Sequence, residues 1–186
     1  MKDIMKFDIP DNLEERNVNE QSVYRFLREN EIPFLRIDHQ AMVDMESYMK
    51  IEKEYSICIP KNLFLCNRQQ TKFYLLLMRG DKKFLTKDIS KQINSARLSF
   101  GNEEKLNEML HCFHGSTSPF GLIFDKDNQV SVLIDNDLLS HEKLGFHPCM
   151  NTSTLIIDKG DLIGGFLKRV NHEPIFVNLP KENDPE

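Results

Sequence analysis

The chain has 186 residues, 40% hydrophobic and 28% charged, an ordinary globular balance that suits one domain with a sizeable core. A formal net charge of -5 argues against a general nucleic-acid coat, while a local basic patch stays open. No stretch approaches the roughly 18 apolar residues of a membrane span, and the start Met1-Lys2-Asp3 has no apolar signal core, so the chain reads as cytoplasmic.

In chain order, residues 1–18 are charged and weakly patterned and read as an N-terminal extension. Asn19-Glu20-Gln21-Ser22 opens a helix with Val23, Phe26 and Leu27 on its apolar face, ending near Asn30. Residues 32–37 alternate as a strand, and residues 42–50 read as a short helix. Pro60 interrupts an apolar run, so a turn there precedes a strand over 62–66. After a turn at 67–71, residues 72–78 form its hairpin partner; this strand is apolar on both faces and belongs at the centre of a sheet. Arg79-Gly80-Asp81 makes a tight turn, and Thr86 is the expected N-cap of a helix through Ile93.

Asn102 starts a further helix with Leu106, Met109 and Leu110 on one face. The loop from Gly115 to Pro119 is expected to lead into a strand over 120–124, followed by the turn Asp125-Lys126-Asp127-Asn128 and a strand over 130–134. Further strands surround Phe146 and cover 152–157, and Asp161 is the expected cap of a last helix over 162–170. The tail 171–186 holds one apolar run, Ile175-Phe176-Val177, before polar residues expected to fray. Strands and helices intermix with no regular βαβ period, which predicts one α+β domain over 19–170, with a mixed, mostly antiparallel sheet flanked by helices.

None of Cys58, Cys66, Cys112 and Cys149 has the spacing of a zinc knuckle or redox pair; all read as reduced packing residues, Cys149 being placed to line a pocket. His111 and His114 have i, i+3 spacing without a matching third ligand, so they, His141 and His172 read as surface or loop histidines, and His39 as one at a strand end. Three separated segments put unusual groups beside apolar strands: Lys61-Asn62-Leu63-Phe64-Leu65, Gly115-Ser116-Thr117-Ser118-Pro119-Phe120-Gly121 and Gly145-Phe146-His147-Pro148. No base lies beside the hydroxyls of Ser116, Thr117 or Ser118 in sequence, which gives a serine-hydrolase reading little support.

These segments, in this order, resemble the YbaK-type, prolyl-tRNA synthetase-associated editing domains. Phe146-His147-Pro148 with Asn151-Thr152 is similar to the family's third motif, and Lys91-Gln92-Ile93 and Arg97-Leu98-Ser99-Phe100 fit its freestanding members; the similarity covers roughly residues 20 to 168. Thr117, Phe124-Asp125 and Cys149-Met150 depart from the family pattern, and Thr117 bears on pocket shape. The resemblance implies a trans-editing aminoacyl-tRNA deacylase, with alanine on proline tRNA as the best-matched substrate and cysteine or serine as alternatives. A non-catalytic tRNA-binding or regulatory module of the same fold is a further reading. It implies no cofactor, no metal, no DNA and no membrane. The partner would be the acceptor end of mischarged tRNA, with the chain acting free or docked on prolyl-tRNA synthetase.

On this reading Lys61, the Gly115-Ser116-Thr117-Ser118-Pro119 bend and His147 are the catalytic set. Lys61 suits a phosphate near the 3′ end; Gly115 and Pro119 let peptide groups face inward toward a water and the α-amine. His147 lines the amino-acid pocket and limits its size, or hydrogen-bonds the substrate carbonyl. Asn62 holds nearby backbone or the adenosine, Asn151 and Thr152 orient the His147 segment, and Phe64, Phe120 and Leu122 supply pocket walls. Lys87, Lys91 and Arg97, within a basic run that includes Lys82 and Lys83, are candidate tRNA contacts.

Overall fold

A computed structural model describes residues 7–41 and 45–180. A 3-10 turn, Leu13–Glu15, precedes α1, Val18–Glu29, whose N-cap Asn17 accepts the Asn19 amide through its side chain at 2.8 Å. The helix therefore starts one residue before the expected Asn19, and Leu13 is already buried in the core. Then come β1, Leu35–Asp38; α2, Met45–Tyr55; β2, Lys61–Asn67; and β3, Phe73–Met78. Of the helix expected over 42–50, residues 42–44 lie outside the described residues, and α2 runs five residues past Lys50.

Next are α3, Thr86–Gln92; β4, Leu98–Phe100; and α4, Glu103–Leu110, which Asn102 caps by accepting the Lys105 amide at 2.8 Å. Thr86 is not the cap of α3: that position is Leu85, which makes no side-chain bond, and the Thr86 carbonyl instead accepts from the Ser90 hydroxyl at 2.6 Å. The chain continues through β5, Val130–Asp135; a 3-10 turn, Asn136–Ser140; β6, Lys143–Phe146; and β7, Ser153–Asp158. A π-helical stretch, Asp161–Phe166, runs into α5, Leu167–Arg169, and β8, Ile175–Val177, follows. Asp161 does not cap the last helix, which is already helical from Lys159.

The strand expected over 120–124 is a 3-10 helix, Pro119–Ile123. Ser118 caps it by accepting the Phe120 amide at 3.1 Å, and Pro119 supplies the fixed φ of a first helical position. A Cβ at Gly121 would stand 2.5 Å from the Leu110 carbonyl oxygen, so only glycine lets this turn lie against the end of α4. A short apolar run does not distinguish a buried strand from a buried helical turn, and here capping decides it.

The α+β class expected from sequence holds, with the strands divided between two sheets. One sheet has the order β1-β7-β6, all antiparallel; the other is mixed, β4-β2-β3-β5-β8, with β3–β5 and β5–β8 parallel. β3 is central and fully buried, as its unbroken apolar run predicts. Its alternate residues feed two cores: Phe73, Leu75 and Leu77 join the larger one with Phe64, Phe120 and Phe146, while Tyr74, Leu76 and Met78 pack with Ile89, Leu98 and Leu179 on the other face.

Within the 171–186 segment, Ile175-Phe176-Val177 forms one edge strand of the mixed sheet, with Val177 and Leu179 buried. His172, expected at the surface, is buried: its Nε2 lies 3.0 Å from Asp125 Oδ2, and the Asp125 carboxylate also accepts the amides of Gln129 and Val130. Lys82 also leaves the basic run. It is buried against Asp135 and Asp137, at 3.2 and 2.7 Å, and donates to the Leu179 carbonyl. Both contacts give buried polar groups local partners and tie the C-terminal strand to the body of the fold. No helix among the described residues is long and apolar enough to cross a membrane.

Candidate active site

The three motif segments converge because strand pairing and buried turns place their ends at one cleft of about 730 Å³. Lys61, Asn62 and Phe64 enter it from β2, Gly115 and Thr117 from the loop after α4, and His147 from the end of β6. α2 forms another wall through Tyr48, Met49 and Glu52.

Lys61 opens β2 opposite Met78, so its side chain reaches the Arg79-Gly80-Asp81 turn at the end of β3, where Nζ donates to the Gly80 carbonyl at 2.6 Å. An ammonium has three donors, so two remain to face the cleft. Next to it, Arg79 holds Asp81 in a two-pronged ion pair at 2.8 and 2.9 Å. That hydrogen bond, with the charge behind it, keeps the Asp81 carboxyl below its ordinary range. Arg79 Nη1 reaches His141 Nε2 at 2.5 Å; burial, then the Arg79 charge, lowers the His141 pKa, so its imidazole is an acceptor there.

Asn62 ties the strand to the loop: its Nδ2 donates to the Thr117 carbonyl at 3.0 Å. Its Oδ1 is buried and takes no hydrogen bond among the described residues. An orphaned buried acceptor costs about 1–3 kcal/mol unless a donor reaches it. Gly115 has φ +90, a conformation closed to most side chains, and of the bend it opens, Gly115 and Thr117 line the cleft. Asn151, half-buried, has its Nδ2 3.9 Å from where a Cβ on Gly115 would lie, which places it behind the bend.

Ser116 and Ser118 are fully buried and do not face the cleft. The Ser116 hydroxyl donates to the Phe113 carbonyl at 3.1 Å and accepts the Phe113 amide at 3.0 Å, while Ser118 caps the following turn. Both shape the bend. Pro119, Phe120 and Leu122 lie beneath it in the core, where Phe120 meets Phe146 and Phe166 edge-on. Cys149, expected to line a pocket, is wholly buried in the core and outside the cleft lining. Thr152 is exposed beyond the cleft, and Lys87, Lys91 and Arg97 are exposed outside its lining. Cys58 does border the cleft, but burial, reinforced by Glu52, pushes its thiol up to about 12, which removes it as a nucleophile at neutral pH.

His147 is buried with Nδ1 2.8 Å from the Ser153 carbonyl, so Nδ1 carries the proton and Nε2 presents a lone pair toward the cleft, 3.4 Å from the Tyr48 hydroxyl. Burial lowers its pKa from 6.5 to about 4; the Ser153 carbonyl opposes this and the nearby His39 ring adds to it. An unfolded chain takes up this proton near pH 6.5, whereas the native protein resists until about pH 4. The unfolded state therefore binds more protons between those limits, and stability is complete above about 6.5 and lost as pH falls toward 4, by up to about 3 kcal/mol from this group. Urea unfolding at pH 7 and pH 4.5 should show a fall that is smaller by most of that amount in His147→Phe.

Sequence reasoning missed Tyr48, Glu52, Arg79 and His141 as cleft residues. For Arg79 a signal was present: in a hairpin the residue after β3 stands beside the start of β2, so Lys61 and Arg79 had to be neighbours.

Comparisons with known proteins fit this arrangement. The model of the aminoacyl-tRNA editing domain matches residues 39–164, more than half of the chain and a span that includes all three motifs. The prolyl-tRNA editing protein ProX of Acetoanaerobium sticklandii is 32% identical over 142 residues, covering 76% of this chain and 87% of that protein. The prolyl-tRNA synthetase associated domain-containing protein 1 of Bos taurus is 29% identical over 149 residues, covering 78% of this chain and 86% of its own. Among solved structures, a candidate trans-editing enzyme for prolyl tRNA synthetase shares the fold, with a TM-score of 0.66 at 14% identity over 90% of this chain and 99% of that one. With the motifs, the cleft and these relatives in agreement, the chain belongs to the aminoacyl-tRNA editing domain family.

Proposed function

We propose that this protein hydrolyses the ester of mischarged tRNA in trans, and that its substrate is alanine carried on the tRNA for proline. The observation that carries the reading is the meeting of Lys61, Asn62, the Gly115 bend and His147 at one cleft that offers no activated nucleophile among the described residues. In this mechanism the two remaining donors of Lys61 take a phosphate oxygen near the 3′ end. The α-ammonium of the amino acid is taken by peptide carbonyls of the Gly115 bend.

Peptide groups of the bend between Gly115 and Pro119 orient a water onto the ester carbonyl and support the oxyanion that forms. The C–O bond to the ribose then breaks, the ribose oxygen leaves with a proton, and the neighbouring ribose hydroxyl shares that transfer. Holding ester and water in attack geometry supplies the acceleration that a side-chain nucleophile would otherwise provide. His147, neutral at physiological pH, forms part of the amino-acid pocket wall. A methyl side chain gives a synthetase little energy to reject it, so a second, smaller pocket that excludes proline sterically is the physical solution.

The test is release of labelled amino acid from proline tRNA charged in turn with alanine, cysteine and serine. Alanine should be released well above the buffer rate and faster than the other two. A preference for cysteine or serine would reassign the substrate, and binding without release would favour a tRNA-binding module.

A further inference from the structure

Two of the most exposed large apolar side chains among the described residues border the same cleft. Phe100 shows 64% of its surface and Met49 62%, and both line the cavity whose other walls carry Lys61 and His147. A single exposed apolar residue is ordinary; two at the mouth of one cavity call for a ligand with an apolar face.

Phe100 ends β4, the edge strand of the mixed sheet, opposite Leu65. The next amide, of Gly101, donates to the Phe64 carbonyl at 2.9 Å and fixes the backbone at the rim. The Phe100 ring rests on Phe84, centroids 5.5 Å apart at 58°, and Phe84 is itself packed against the second core. The ring is thus braced by one neighbour while most of its surface meets solvent.

Cations gather at this edge. α3 packs on β4 and carries the exposed Lys87 and Lys91, and the exposed Arg97 precedes Phe100 by three residues. The acidic groups nearby are Asp88 on α3 and Glu103 and Glu104 at the start of α4, with Glu52 and Asp81 in the cleft lining; Glu103 is engaged with the His114 amide at 3.2 Å and Asp81 with Arg79. A chain of net charge -5 repels polyanions except where such cations are concentrated. Flat apolar groups alternating with anionic ones are the chemistry of a single-stranded nucleic acid, and bases of any sequence stack on an aromatic ring.

We propose that Phe100 is a stacking platform for the terminal nucleobase of the single-stranded acceptor end. The proposal deepens the deacylase reading and rests on it: the base lies on the rim, and the ester it leads to enters the polar end of the cleft.

The chain contains no tryptophan, so Phe100→Trp installs a lone reporter. Titrating that variant with a short single-stranded RNA ending in CCA should quench its emission saturably. The same RNA lacking only its terminal base should bind about tenfold more weakly. In deacylation assays Phe100→Leu should raise KM about tenfold with kcat changed by no more than about twofold, and Phe100→Trp should keep KM within about twofold of the parent. An unquenched indole, equal affinity for the base-lacking RNA, or an unchanged KM in Phe100→Leu would overturn the platform. Quenching requires no turnover, so it separates the two readings. A quenched variant of a protein that releases no amino acid would sink the deacylase and keep the platform; an unquenched variant of an active protein would do the reverse.

Discussion

Lys61→Ala is expected to lower kcat/KM for the mischarged tRNA by about a hundredfold, the scale on which a misplaced substrate loses its attack geometry. The side chain is exposed and its hydrogen bond is to a surface carbonyl, so folding stability should move by no more than about 0.5 kcal/mol. Lys61→Arg should recover little, because a planar guanidinium does not reproduce a compact ammonium held over the Gly80 carbonyl. Single-turnover deacylation with excess protein measures the effect without the complication of product release. A variant that keeps the parental rate would show that the ammonium is a solvated strand-end lysine.

The second large effect is on selectivity. His147→Ala should let the cleft hydrolyse correctly charged prolyl-tRNA, raising the ratio of proline to alanine release by about tenfold or more, as expected for space equivalent to one or more methylenes in a pocket. The substitution leaves the Ser153 carbonyl without its donor and opens space in a buried site, so a stability loss of about 2 kcal/mol accompanies it. His147→Phe keeps the bulk while removing the lone pair at Nε2, and it should keep proline excluded. If both variants discriminate as the parent does, the pocket wall is built elsewhere.

The fold was legible wherever a periodic pattern covered a whole element. β3 reads as central because both of its faces are apolar, and α4 reads correctly from Asn102 and the spacing of Leu106, Met109 and Leu110. What escaped the sequence was decided by contacts distant along the chain. The 120–124 run became a 3-10 turn because Ser118 caps it and Gly121 lets it lie on Leu110. The run at Ile175 became a strand because the edge of β5 was open to it. The division into two sheets follows from pairings of β1, β6 and β7 that no local pattern encodes.

The candidate site shows the same division. Lys61, Asn62, Gly115, Thr117 and His147 were singled out from their motifs and meet at the cleft. Ser116 and Ser118 looked equivalent to Thr117 in sequence, yet a bend with Gly115 at φ +90 turns Thr117 to the cavity and the two serines into the core. Tyr48 and Glu52 on α2, and His141 after the 3-10 turn, reach the cleft only through tertiary packing, which is why nothing in their own segments marked them.

The central claim is that solvent, steered by main chain, attacks the ester directly. Rapid-quench mass spectrometry of the protein during a single turnover of alanyl-tRNA for proline tests it most directly. Free alanine should accumulate while the protein mass stays unchanged at every time point, and Thr117→Val should turn over at a comparable rate. A transient protein species carrying alanine, on Thr117 or any other side chain, would contradict the account.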